Sequence, residues 1–301
     1  MFKSALILGM AALISCQSSG STSDPEPIAT PSDAETSAAE ITSAARAELS
    51  GAEPASSVAA PSWKSDLSQP NWIESWESRE EQSWGFDNFE WIPVSEGPFA
   101  HILRVHYPAS SASPSVSRKT DAPLGGAQFY SDLFLSAQTQ LRLSYYVRFA
   151  EGFDFVRGGK LPGLFGGAGA SGGNIPDGTD GFSTRLMWRE NGQGEVYAYL
   201  PTSENYGTSI GRGNWQFQPG IWYKLDQEVK LNTPHLANGQ IRMWVNDRLV
   251  LEQEDVSFRT ADSLRIDGIF FSTFFGGGSS SWATPQDTYI DFANFSVTTV
   301  H

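Results

Sequence analysis

From Trp63 onward the sequence is built of short runs in which apolar and polar residues alternate with period two, each closed by Gly, Pro or Asn. The runs read "HILRVHYP", "QLRLSYYVRF", "FSTRLMWR", "EVYAYLP", "WYKLDQEVKLN", "QIRMWVND", "IDGIFFSTFF" and "TYIDFANFSV". Such alternation places successive side chains on opposite faces of an extended strand. No long segment beyond the first residues carries the 3.6-residue period of an amphipathic helix. The expectation is an all-β chain, one antiparallel jelly roll (β-sandwich) over residues 63–301. Two hairpins are expected, "LANGQIRMWV" turning at Asn238-Gly239 and "MWRENGQGEVYAY" with Gly192 near its apex.

The residues before Trp63 differ in kind. The first sixteen, "MFKSALILGMAALISC", run from a lysine through a short apolar stretch to small residues, the layout of a secretory signal. Cys16 is the only cysteine in the chain, so no disulfide is expected. Residues 17–62 are rich in Ser, Ala, Pro and acids and contain no aromatic residue. A segment of that composition cannot bury enough apolar surface to offset its ordering entropy and is read as a tether. Seven carboxylates against Arg46 lie there, so with Lys3 in the leader the remainder holds −9 of the net charge of −14.

Outside the alternating runs lies "RGGKLPGLFGG", residues 157–167, in which Lys160 stands among five glycines. In the 182–199 hairpin, Ser183 and Arg185 share a face of one strand, and Tyr197 and Tyr199 share a face of the next. A two-residue turn at Asn191-Gly192 would put the two pairs on opposite sides. A three-residue loop, 191–193, would pair 185 with 199 and 187 with 197 and bring all four to one face. Thr184, Leu186, Val196 and Ala198 would then point into the core.

The stretches "GGKLPGLFGG", "GFSTRLMWR" and "GEVYAYLP", with "GGAQFY" earlier and "FFGGGSSSWATPQDTYIDFANFSV" later, resemble polysaccharide lyase family 14, the alginate and glucuronan lyases. The resemblance covers roughly residues 70–300. It implies a jelly roll with a concave substrate cleft that cleaves anionic polyuronates by β-elimination, with Lys160, Ser183, Arg185, Tyr197 and Tyr199 at the catalytic positions. Likewise, "LISC" resembles the lipobox of bacterial lipoproteins. This implies lipidation at Cys16, with Gln17 after it favouring the outer membrane or cell surface of a Gram-negative bacterium. The protein is expected to act as a monomer, with no cofactor, no metal and no nucleic-acid partner.

In such an elimination a nearby cation stabilises charge that develops on the sugar carboxylate. Arg185 can grip a carboxylate bidentately, and Lys160 adds a compact charge. These cations should favour a phenolate at Tyr197 or Tyr199, suiting one as base and one as acid, with Ser183 orienting the carboxylate or the lysine. Lys160 as base is the alternative. Gly158, Gly159 and Gly163 are expected to let substrate approach closely. Gln128, Arg157 and Trp282 are candidate substrate contacts, and Arg104 and Arg142 could join Arg157 and Lys160 in lining the cleft. At about −9 the domain repels a polyanion at long range, but charges beyond about 8 Å are largely screened at physiological salt.

Two other readings remain at this stage: a binding jelly roll without turnover, and a glycosidase using Asp226 and Glu228. Asp177 and Asp180 in "NIPDGTDGF" could hold calcium or form a plain turn. His101, His106, His235 and His301 form no metal-ligand spacing.

Overall fold

The computed structural model describes residues 62–133, 135 and 138–300. The expected leader, Cys16, the tether to residue 61 and His301 lie outside them. In chain order the strands are β1 (Trp63–Lys64), β2 (Phe89–Pro93), β3 (His101–Tyr107), β4 (Ala127–Asp132), β5 (Gln140–Phe149), β6 (Gly158–Gly167), β7 (Gly181–Arg189) and β8 (Gly194–Tyr199). They continue as β9 (Thr208–Ile210), β10 (Trp222–Lys230), β11 (Gly239–Val245), β12 (Arg248–Val256), β13 (Gly268–Thr273) and β14 (Thr288–Thr299). A single α-helix among the described residues, α1 (Pro114–Thr120), starts on a proline, which costs nothing where the N–H would be unpaired anyway.

Two antiparallel sheets form the jelly-roll sandwich. One has eight strands in the order β12-β11-β10-β5-β14-β3-β2, with β1 added against β14, and the other has six in the order β4-β13-β6-β7-β8-β9. Their inner faces follow the alternation: Leu141, Leu143, Tyr145, Val147 and Phe149 of β5 are all buried, with the intervening residues partly exposed. Trp76 is fully buried, edge-on to Phe129, Phe271 and Phe295. Aromatic pairs of this geometry contribute about 0.5–1.5 kcal/mol each beyond the area they bury.

Every alternating run quoted above contains a strand. β1, β2, β4, β6, β9 and β12 were not anticipated; β6 is broken by glycine and proline, and β12 is a largely exposed edge strand without an apolar alternation. Asn238-Gly239 does not turn a tight hairpin. Lys230 pairs with Gln240 across a long loop, organised instead by the Asn232 side chain, which donates to three carbonyls and accepts the N–H groups of Phe258 and Arg259. The two-residue turn falls one strand later, at Asn246-Asp247, both at positive φ (51° and 65°).

Candidate active site

The strand that carries Lys160 changes parity midway. Lys160 pairs with Met187 and Leu161 with Leu186, but the next pair is Leu164 with Thr184, so Pro162 and Gly163 together oppose Arg185. This β-bulge lets Lys160 and Phe165 both reach the outer face while Leu161 and Leu164 both enter the core. Proline, lacking an N–H, is tolerated inside a sheet at such a site. Gly163 is required because a Cβ there would collide with the Thr184 carbonyl and the Arg185 Cα. The opposite sheet completes the bulge. Gln227 accepts the Leu164 N–H at 3.0 Å and donates to the Thr184 carbonyl at 2.5 Å, and the Tyr145 hydroxyl donates to the Pro162 carbonyl at 3.0 Å.

The β7–β8 hairpin presents the other candidates. Its loop is Glu190–Gly192, one position earlier than expected, and Asn191 and Gly192 take positive φ. Ser183 therefore pairs with Tyr199 and Arg185 with Tyr197, a shift of two that keeps all four side chains on one face. Thr184, Leu186, Val196 and Ala198 are fully buried on the opposite side.

Arg185 is only 2% exposed. One nitrogen, Nη1, donates to Ser272 Oγ at 3.1 Å, while Nε has no partner. Its guanidinium carbon lies 4.5 Å from the Phe270 ring centroid and 5.9 Å from that of Tyr199. Among the described residues no carboxylate forms an ion pair with it. A buried cation without a counter-ion is costly, and such charges are normally paired.

Lys160, 9% exposed, stands beside it. Its Nζ lies 3.6 Å from the Tyr197 ring centroid and 2.7 Å from Met187 Sδ. Burial, with Arg185 and Arg189 nearby, holds its amine well below the ordinary lysine range, against a weaker opposite pull from Glu195. The ring face of Tyr197 favours an ammonium by about 0.5–2 kcal/mol, but desolvation is the larger influence. Glu195 offers little compensation. Arg189 holds its Oε1 at 2.5 and 2.7 Å, Arg212 its Oε2 at 2.6 Å, and Ser209 also donates to it.

Tyr197 is half-buried. Desolvation first, then the adjacent Tyr199, push its phenol up to about 12, outweighing the downward pull of Arg189 and Arg185. The expectation that the cations favour a phenolate therefore fails for Tyr197, because burial dominates. The Tyr199 ring is edge-on to Tyr197 at 5.7 Å, and its hydroxyl accepts the Gly173 N–H at 3.0 Å.

The peripheral candidates divide. Gln128 shares the site's network: Ser272 donates to its Oε1 at 3.3 Å, and its amide donates to the Gln82 carbonyl. Arg157 and Arg189 both lie over Trp282, at 5.2 and 5.9 Å, and Arg189 also lies 5.6 Å from Tyr197. Arg157 and Trp282 thus extend the face beyond Lys160. Ser183 is on the shared face, where its buried hydroxyl donates to the Ala170 carbonyl at 2.6 Å. The glycines also serve the protein. A Cβ on Gly159 would strike the Trp188 ring, and one on Gly158 the Trp188 carbonyl.

Arg104 and Arg142 do not line this face. They belong to the outer face of the other sheet, tied to Asp291 at 2.8 Å and Glu228 at 2.7 Å. Asp226 and Glu228 are there too, engaged by Ser144, Lys224, Arg142 and Arg242, which leaves no free carboxylate pair for a glycosidase. Asp177 accepts from Thr179 N–H and Oγ1, as in a plain turn. Sequence reasoning missed Met187, Arg189, Glu195, Phe270 and Ser272. Met187, Arg189 and Glu195 continue the period-two rows of Arg185 and Tyr197, which could have exposed them.

The assembled face offers a buried guanidinium lacking a counter-ion, an amine biased toward its neutral form and a phenol biased toward its protonated form. That set suits binding a carboxylate, accepting a proton beside it and delivering another.

The Polysaccharide lyase 14 family model matches residues 96–295. The marine PL-14 alginate lyase from Aplysia kurodai is 31% identical with a TM-score of 0.68, and the match covers 80% of this chain and 100% of that one. The alginate lyase Aly36B is 25% identical (TM-score 0.63, 81% and 93% covered). Alginate lyase vAL-1 from Chlorella virus, 21% identical with a TM-score of 0.65, shares the fold over 80% of this chain and all of its own. No curated protein sequence matches the chain.

Proposed function

The chain belongs to the polysaccharide lyase 14 family, and from that premise we propose that it cleaves 4-linked polyuronates, alginate or glucuronan, by β-elimination at the Lys160–Tyr197 face. The observation that carries the reading is Arg185, a buried guanidinium whose missing counter-ion a uronate carboxylate would supply. In this scheme Arg185 binds and neutralises the carboxylate, which acidifies the adjacent C5–H. The neutral Lys160 amine takes the C5 proton. The C–H electron pair becomes the C4–C5 double bond, the C4–O bond breaks, and Tyr197 protonates the departing glycosidic oxygen. One product then carries an unsaturated uronate end, and proton return from the Lys160 ammonium to the Tyr197 phenolate resets the site.

This division of labour, lysine as base and tyrosine as acid, follows the directions in which burial biases the two groups. Tyr199, buried and hydrogen-bonded to Gly173, supports Tyr197 through its edge-on ring and fixes the loop that carries Gly173. The test is incubation with defined alginate and glucuronan substrates. Elimination raises ultraviolet absorbance from the new double bond, whereas release of reducing ends without that absorbance would mark a hydrolase.

A further inference from the structure

The outer face of the eight-stranded sheet, opposite the candidate active site, carries a depression of about 570 Å³. Its origin is a second bulge. In β14 the pairs with β5 run from Ala293–Tyr146 to Ser296–Ser144, so Asn294 and Phe295 together oppose Tyr145. Asn294 takes φ 50° and stays exposed, while Phe295 drops into the core and stacks on Tyr145 at 4.8 Å. The depression runs across β11, β10, β5, β14 and β1, four strand spacings or about 19 Å.

The lining has a definite chemistry. Trp244 stands at one end with the Arg142 guanidinium 4.2 Å from its ring centroid. The two carboxylates present, Asp226 and Asp247, are both engaged by Lys224, at 3.5 and 2.6 Å. At the β14–β1 end, among the described residues, Ser65 Oγ is buried with no hydrogen bond and no ion pair engages the exposed Lys64 ammonium. The groups left over are thus an ammonium and a hydroxyl at one end, with an aromatic platform at the other, in a protein of net charge −14. An anionic chain rich in hydroxyls complements them.

We propose that this depression is a second, non-catalytic binding site for a uronan segment, holding the polymer on the sheet opposite the one that cleaves it. The proposal takes its ligand class from the lyase reading above.

The test is calorimetric titration of the Lys160→Ala variant, silenced for elimination, with alginate and glucuronan tetrasaccharides and with a neutral β-1,4-glucan tetrasaccharide. Two uronan sites per chain are expected, falling to one on adding Trp244→Ala. The single exposed change Lys64→Glu should weaken the second site at least fivefold, with an unaltered melting temperature showing that the fold is intact. One uronan site with or without these changes, or equal binding of the neutral glucan at the second site, overturns the proposal. Failure of the lyase reading is distinguishable, because the parent chain would then generate no ultraviolet absorbance from either polymer. A parent that neither cleaves nor binds a uronan removes both.

Discussion

The side-chain carbonyl of Gln227, on β10, accepts the backbone N–H of Leu164, on β6, at 3.0 Å across the core. Through this bond the eight-stranded sheet holds the bulge that turns Lys160 outward. Gln227→Leu should leave the Leu164 N–H and the Thr184 carbonyl buried without partners, each costing about 1–3 kcal/mol. The expected outcome is a lower denaturation midpoint together with a loss of lyase rate as the bulge relaxes. Unchanged stability, measured by chemical denaturation, would contradict this account of the bulge.

Lys160→Met should lower kcat by about 10²-fold or more, the usual loss on removing a general base, while raising Tm. The sign follows from proton binding. The folded-state pKa of Lys160 is depressed below its unfolded value of 10.5, so the unfolded chain binds more protons between those two values, and below them burying this lysine carries its full cost in stability. That cost shrinks as pH rises toward 10.5. Methionine removes it, so the Tm difference between parent and variant should narrow in alkaline buffer. A variant less stable than the parent at pH 7 would speak against a desolvated amine.

The two tyrosines should separate. Tyr197→Phe removes the proposed acid and should cost about 10²-fold or more in kcat. Tyr199→Phe deletes one hydrogen bond to Gly173, worth about 0.5–1.5 kcal/mol, and should cost no more than about tenfold. Steady-state kinetics on one uronan reads both, and the reverse ranking would transfer the acid role to Tyr199.

The pH profile carries the same assignment. kcat/KM should rise with pH as the Lys160 ammonium loses its proton below the ordinary lysine range. It should show no fall from loss of the Tyr197 proton until near pH 12, where that phenol ionises. A descending limb between pH 8 and 10 in a protein still folded by circular dichroism would exclude Tyr197 as the acid.

Much of this was legible in the sequence, and the rest was hidden for identifiable reasons. The alternation in "QLRLSYYVRF" marks β5 residue for residue, and the shared face of Arg185 and Tyr197 follows from period two. The pairing came out two residues off because Asn191 and Gly192 both adopt positive φ, which moves the loop. β6 was missed because its proline and glycines break the alternation. They do so where the bulge needs them, and the partners that satisfy it, Gln227 and Tyr145, lie in another sheet. Arg104 and Arg142 read as cleft cations because the sequence does not say which sheet a strand joins. The phenol of Tyr197 was expected to ionise because charge can be read from sequence, whereas burial arises only on folding.

The central claim is that a uronate carboxylate meets Arg185 and loses its neighbouring proton to Lys160. The most direct measurement is ultraviolet absorbance during incubation of parent and Lys160→Ala chains with alginate and glucuronan. Absorbance should rise with the parent on at least one polymer and stay at least about 10²-fold slower with the variant. Equal rates from the two chains, or chain shortening by the parent without absorbance, would contradict it.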